Sequence, residues 1–137
     1  MFDTLPDADL IDVITSAQRT EAQACARRLD AIGVLVDRHA DLDKPDARDR
    51  HPLDRWDRVA AEISAAQGIT QALASSQMRY AQVLRHRLRA VAERFATGDL
   101  DFRTVALIVN RTELLDDDTV VAQVDAAIVQ ALPRWTR

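Results

Sequence analysis

Aromatic residues, glycine and proline are all scarce in this chain of 137 residues: aromatics make up 4%, and there are three glycines and four prolines. A protein with many tight turns uses more Gly and Pro, so the scarcity argues against a β-sandwich or a β-barrel. Because 47% of the residues are hydrophobic, the chain can still bury a core, and that core must be aliphatic and rich in alanine. The composition predicts one helical domain over residues 1–137.

Residues that carry chemistry are also few. Cys25 is the single cysteine, which excludes a disulfide framework and a cysteine-based zinc site. The histidines at 39, 51 and 86 do not have the spacing of metal ligands, and no glycine-rich phosphate loop occurs. We therefore expect no catalytic residue, no metal, no cofactor and no small-molecule substrate.

Signals for export and for membrane insertion are missing as well. The first residues lack the basic and apolar regions of a secretory signal. The longest apolar run, 31–36, is far too short to span a bilayer. We expect a cytoplasmic protein that makes no membrane contact.

The apolar spacing predicts an all-α fold of about five helices, the first of them very long, over residues 7–40. A helix of about 32 residues measures about 48 Å, whereas a compact domain of this size is only about 37 Å across. The first helix therefore either kinks at Gly33 or pairs with a helix of another chain as a homo-oligomer. Glu21 and Arg28 fall inside its apolar stripe, either as a partly buried polar pair or turned to water. The stripe consists of Leu10, Val13, Ile14, Ala17, Ala24, Ala31, Ile32 and Leu35.

A charged linker over residues 41–54, with two prolines, separates this helix from a helical bundle over residues 55–132. In the bundle a helix from Trp56 precedes a long helix between Thr70 and Gly98. Two further helices follow, capped by Asp101 and by Asp116 or Asp117, and Pro133 stops the last. The core face predicted for the long helix consists of Leu73, Tyr80, Leu84, Leu88, Val91 and Phe95.

Residues 63–70 join two helices through a short turn that contains glycine, as a helix-turn-helix requires. Ser64 is suitably small, and Ile63 and Ile69 are suitably apolar. Gln67 and Gln77, however, stand where the motif usually has apolar residues. The match is partial, and any two packed helices can produce it.

The charge is uneven along the chain. Residues 55–98 hold seven arginines against three acids (+4), whereas residues 1–54 and 99–137 carry −5 and −3, for a total of −4. A basic middle points either to a polyanionic partner or to arginines that pair with the acidic flanks.

A nucleic-acid interface would use the basic strip opposite the core face of the long helix. We expect Arg79, Arg85 and Arg89 to contact phosphates, because arginines on one helix face are the footprint of phosphate binding. Side chains at the start of a second helix approach base edges in this motif. The residues there are Gln71, Ser75 and Ser76.

Several blocks of the sequence resemble the domain of unknown function 222 family, which is actinobacterial and in mycobacteria is often labelled as 13E12 repeat proteins. The resemblance covers nearly the whole chain, and its most specific blocks are WDRVAAEI and FATGDLDFRTVALIVNRT. Many family members carry a C-terminal HNH nuclease domain beyond this region. The resemblance implies a short or truncated member, in which no histidine and asparagine cluster of an HNH site is present to receive a metal.

Two functions from different classes follow from these patterns. The first is a non-catalytic, DNA-associating module of an HNH-endonuclease-like protein. The alternative is a helical self-association or protein-interaction domain without nucleic-acid contact.

Overall fold

The computed structural model describes residues 1–40 and 52–132, and this part of the chain holds six α-helices and no strand. The all-α prediction with a very long first helix is confirmed, with one helix more than expected. Most of the linker predicted over 41–54 lies outside the described residues, but residues 52–54 already belong to a helix. The helices are α1 (Asp7–Ala40), α2 (Pro52–Gln67), α3 (Gln71–His86), α4 (Arg89–Ala96), α5 (Phe102–Thr112) and α6 (Asp118–Ala131).

Short-range capping defines three of the helix starts. The hydroxyl of Thr70 accepts a hydrogen bond from the amide of Leu73 (3.1 Å), three residues further along. Asp101 accepts one in the same way at α5, and Asp117 accepts one from the amide two residues on at α6. These side chains satisfy amides that have no partner within the helix, and all three predicted caps are confirmed.

The first helix is 34 residues long, about 51 Å at 1.5 Å per residue. The helix continues through Gly33. Gly33 allows α1 to approach α3, because a Cβ atom there would lie 3.2 Å from Arg85 Cδ and 3.5 Å from the Ala81 carbonyl oxygen. No helix of the described residues, α1 included, is long and apolar enough to cross a membrane.

The core surrounds α3, which contacts α1, α2, α4 and α5. It is aliphatic and contains many alanines, as the composition predicts, and Phe95 is its one fully buried aromatic side chain within the described ranges. The largest fully buried side chains are Phe95, Met78, Leu88, Val91, Val105, Val109 and Val121.

The predicted long helix between Thr70 and Gly98 is in fact two helices, α3 and α4, that meet at Arg87 and Leu88. Its later core positions are buried as predicted, but Leu73 is 48% exposed. The buried face of α3 is turned relative to the prediction and consists of Ala74, Met78, Ala81 and Leu84.

A carboxylate from a distant helix accounts for the new helix start. Leu88 occupies the N-cap of α4 and offers no side-chain acceptor. Asp125 of α6, which is buried, accepts hydrogen bonds from the amides of Ala90 (2.8 Å) and Val91 (2.9 Å). Asp125 thus satisfies two of the amides that the first turn of a helix leaves without a partner.

Candidate nucleic-acid interface and the exposed face of the first helix

The turn between α2 and α3 has the compact form that the motif requires. Gly68 adopts a φ of 67°, and the amide of Ile69 donates to the carbonyl of Ser64 (3.2 Å). The Ser64 hydroxyl donates back to the carbonyl of Ile69. Gln67 and Gln77 form a reciprocal amide pair, with nitrogen-to-oxygen distances of 2.6 and 3.3 Å. This pair joins α2 to α3 where the motif normally has apolar contacts.

The three candidate base-reading residues all make hydrogen bonds within the chain. Gln71 donates its amide nitrogen to the carbonyl of Asp57 (3.1 Å), and the Ser75 hydroxyl accepts from the indole of Trp56 (2.8 Å). The Ser76 hydroxyl donates to the carbonyl of Ala72 in its own helix (3.2 Å). Gln71 and Ser75 therefore help to hold α2 against α3.

The candidate phosphate-binding arginines do not form one strip. Arg79 pairs with Glu113, which follows α5 (2.7 Å), whereas Arg85 pairs with Asp37 of α1 (2.6 Å). Arg89 lies on α4, beyond the break, and no ion pair to it occurs among the described residues. The alignment of all three assumed one continuous helix, which the structure does not have.

The basic middle of the chain pairs with its acidic flanks. Among the described residues, Arg79, Arg85, Arg87 and Arg94 contact acids from residues 1–54 or 99–137, which agrees with the second of the two interpretations that the charge pattern left open. The remaining contacts of this kind join Arg85 to Asp30, Arg87 to Asp118 and Arg94 to Asp99.

Two of these acids are held in the ionised form by their partners. Partial burial opposes ionisation of Asp37, but hydrogen bonds from His86 and Arg85 outweigh it and lower the pKa of this carboxyl. The pKa of the Asp99 carboxyl is also below its ordinary value. Burial alone would raise it, but the hydrogen bond and the charge of Arg19 outweigh that effect. His86 Nε2 lies 2.8 Å from Asp37, so this carboxylate joins α1 to the end of α3 twice.

The first helix has two apolar faces. One is buried against the rest of the domain, and the other is mostly exposed but touches it at Arg28, which donates to Gln67 (3.5 Å), and at Leu35, which packs against the core. The covered face lies against α2, α3 and α4 and consists of Ala22, Ala26, Leu29, Ile32 and Val36. The stripe predicted from the sequence lies mainly on the other face, but its member Ile32 is buried on the covered one. Its members Ile14, Ala17, Ala24 and Ala31 are exposed, and Ile14 is 61% exposed.

The exposed face follows a strict alternation of four-residue and three-residue steps. We call it the heptad stripe, because this alternation is the repeat of helices that pair side by side. Glu21 and Arg28 belong to it and are both exposed. Its eight members are Leu10, Ile14, Ala17, Glu21, Ala24, Arg28, Ala31 and Leu35. The small side chains of Ala24 and Ala31 leave a shallow depression that Arg28 flanks.

The first twelve residues of α1 extend beyond the core. The first buried residue of the helix is Ala22. Close to it, Arg19 pairs with Asp99 and Gln23 donates to the Thr97 carbonyl, both in the turn after α4. No hydrogen bond or ion pair joins residues 7–18 to another helix in the described part of the chain. About 18 Å of helix therefore carries no fully buried side chain.

A cleft of about 310 Å³ lies between α1, α3 and α4, and no member of the heptad stripe lines it. It is lined by apolar side chains, among them Leu29, Leu84 and Phe95, with Asp30 and Arg85 also in its wall. In the described ranges no three His, Cys, Asp or Glu residues come together as a metal site would need.

The comparisons with known proteins agree on one family. An uncharacterized protein encoded in the est 3′ region of Mycobacterium tuberculosis is 37% identical over 129 residues, which are 94% of this chain and 36% of that protein. Uncharacterized protein Rv3776 of M. tuberculosis is also 37% identical over 129 residues, 24% of its length. The chain thus spans about a quarter to a third of the curated relatives that it matches. No solved structure matches it significantly. Residues 16–137 match the family described as "Domain of unknown function (DUF222)", and the chain belongs to that family.

Proposed function

We propose that this chain is a non-catalytic, cytoplasmic association domain whose first helix binds protein rather than nucleic acid. The observation that carries the proposal is the heptad stripe of α1, which is exposed over most of its length. In the longer relatives the domain would serve as the non-catalytic part of an HNH-endonuclease-like protein, as the sequence resemblance implies.

The exposed stripe is costly for an isolated chain. Contiguous apolar surface of this kind marks an interaction site in soluble proteins. Ile11 and Ile14 are each about 60% exposed, and Met1, Phe2 and Leu5 add exposed apolar surface just before the helix. A protruding helix end that carries this surface is stabilised when another helix covers it.

The pairing of the arginines supports the same function. A nucleic-acid site gains affinity when unpaired cations replace the counterions of the phosphates. Here Arg79 and Arg85 already neutralise Glu113 and Asp37, and the chain as a whole is acidic. The surface of α3 therefore offers little free positive charge to a phosphate backbone.

DNA association is the second candidate, and the compact α2–α3 pair favours it. In this reading Arg79, Arg85 and Arg89 bind phosphates. Arg79 and Arg85 would each have to leave an exposed ion pair, and breaking such a pair costs at most about 1 kcal/mol. Base reading would use the residues that now hold α2 against α3 or bond within α3, which are Gln71, Ser75 and Ser76.

One pair of measurements separates the two functions. Sedimentation velocity at about 50 μM, a range in which micromolar dimers form, should show an associated species. A labelled DNA duplex in about 50 mM salt, where phosphate contacts are strongest, should show no binding to the same sample. A monomer that binds DNA, and loses that binding in the R79A/R85A/R89A variant, would instead establish the second candidate.

A further inference from the structure

We propose that the partner of α1 is a second copy of this chain, with the two heptad stripes packed antiparallel about a two-fold axis between residues 22 and 23. The inference rests on the proposed function and deepens it, because it names the partner and the register. It is argued from the spacing, the charges and the shape of the stripe.

The spacing of the stripe is the same in both directions. Its steps read four, three, four, three, four, three, four from Leu10 to Leu35. In one antiparallel register, therefore, every member of the stripe faces a member of the other copy, with Leu10 opposite the partner's Leu35. A symmetric dimer needs such a self-complementary surface.

The charges select the antiparallel orientation. In a parallel pair Glu21 would lie beside Glu21 of the other copy, and Arg28 beside Arg28, so that like charges would meet. In the antiparallel register Glu21 lies about one helical turn from Arg28 on the facing helix, within reach of these long side chains. The symmetry forms this ion pair twice, and opposite charges at such positions set the orientation of paired helices.

The sizes of the side chains match in the same register. Ile14 faces Ala31 of the other copy, and Glu21 faces Ala24, so that large side chains meet small ones. The depression at Ala24 and Ala31 offers room for a facing large side chain. Large side chains that oppose small ones let two helices interdigitate closely.

The register also covers the protruding end of the helix. No hydrogen bond or ion pair of the described residues joins 7–18 to another helix, while the buried side chains of α1 all lie between residues 22 and 36. In an antiparallel pair the free end of each helix lies along the anchored end of the other. Both overhanging ends are then supported by a folded domain.

Charge reversal tests the register on the full chain. Both residues are exposed, and R28E removes only a long hydrogen bond to Gln67 (3.5 Å), so neither E21R nor R28E should disturb the fold, which circular dichroism checks. Each single variant places like charges together and should weaken the dimer at least tenfold in sedimentation equilibrium. The double variant E21R/R28E should restore it to within about threefold, as reciprocal pairs do in a double-mutant cycle. An equimolar mixture of the two single variants should form a heterodimer.

The outcomes are distinguishable. If the chain stays monomeric at about 100 μM, any association is weaker than most functional ones. This result overturns the proposed function together with this inference. If neither single charge reversal weakens the dimer, only the register is overturned, and the chain associates through another surface.

A cross-link tests the orientation independently. Residues 10 and 35 are about 37 Å apart along one helix, so the two introduced cysteines of L10C/L35C cannot bridge within a chain. Burial raises the pKa of the native Cys25 thiol, and a Cys25→Ser background removes this residue from the reaction. On oxidation, peptide mapping should find residue 10 linked to residue 35. Links of residue 10 only to residue 10 would show a parallel pair and overturn the proposal.

Discussion

At the scale of single residues, the turn at Gly98 fixes the end of α4 against α1. Gly98 has a φ of 88°, which side chains adopt only under strain. A Cβ atom there would lie 2.6 Å from Arg19 Cγ and 2.9 Å from the Arg19 carbonyl oxygen. The side chain can move, but the helix backbone that carries the oxygen cannot.

Gly98→Ala should therefore lower the free energy of unfolding by about 2–4 kcal/mol, through backbone strain and overpacking together. Gly68→Ala is the matched control, because Gly68 has a φ of 67° but nothing within 4 Å of its Cβ position. It should cost only the strain, about 1–2 kcal/mol. Urea unfolding of the two variants gives the comparison, and equal losses would show that the contact with Arg19 is unimportant.

The role of Asp125 is the hardest to predict from the sequence. Asp125→Ala leaves the amides of Ala90 and Val91 without acceptors in a buried place and should cost about 2 kcal/mol. Asp125→Asn keeps one acceptor oxygen and should cost about half as much. Asp116→Asn, at an exposed position, should stay within about 0.5 kcal/mol of the parent. If Asp116→Asn lowers the stability in thermal unfolding as much as Asp125→Ala does, Asp125 is not the cap of α4.

At the scale of helices, local signals predict the starts but not the break. Thr70, Asp101 and Asp117 act on amides two or three residues away, so a sequence window contains both partners. Residues 87 and 88 include neither Pro nor Gly, and the acceptor that allows a new helix to start there lies 35 residues further along the chain. The predicted arginine strip assumed one unbroken helix, and periodicity alone does not reveal that the helix ends at residue 86.

The contact between α1 and α3 should depend on pH through Asp37. Its pKa is below the ordinary value of 3.8 in the folded chain, so its stabilising effect is complete above that pH. The effect is lost as the pH falls through the folded-state value, where the carboxylate becomes protonated. Asp37→Asn should thus be destabilising by less than about 1 kcal/mol near neutrality, because the group is partly exposed.

Urea unfolding of the parent and of Asp37→Asn, at about pH 6 and about pH 2.5, measures this difference. The difference between the two proteins should be present at the higher pH and smaller at the lower one, because the charge of Asp37 is lost as the pH falls through its lowered pKa. A difference of the same size at both pH values would mean that the substitution acts through packing rather than through the charge of Asp37.

At the scale of the whole molecule, the sequence predicts an apolar stripe on α1 that shares most of its members with the heptad stripe, but it does not separate the covered face from the exposed one. Periodicity marks both apolar faces of α1, and it cannot say which of them the domain covers. Leu29 and Val36 are buried because α3 and α2 lie on their side, a fact of tertiary packing. The alternation of four and three steps was nevertheless readable, and it is the signal by which the candidate interface could have been found.

Removing one apolar side chain from the stripe should weaken association and leave the domain intact. Ile14 is 61% exposed and contributes nothing to the core, so Ile14→Ser should not lower the free energy of unfolding of the monomer. In a symmetric dimer it removes about 1 kcal/mol of apolar burial at each of two sites, which corresponds to about a thirtyfold weaker dimer. Leu114→Ser is the control, because Leu114 is 89% exposed and lies before α6, away from α1. Sedimentation equilibrium should show the loss only for Ile14→Ser. Equal losses for both variants would point to unspecific apolar contacts, because only Ile14 belongs to the surface that the two-fold axis repeats.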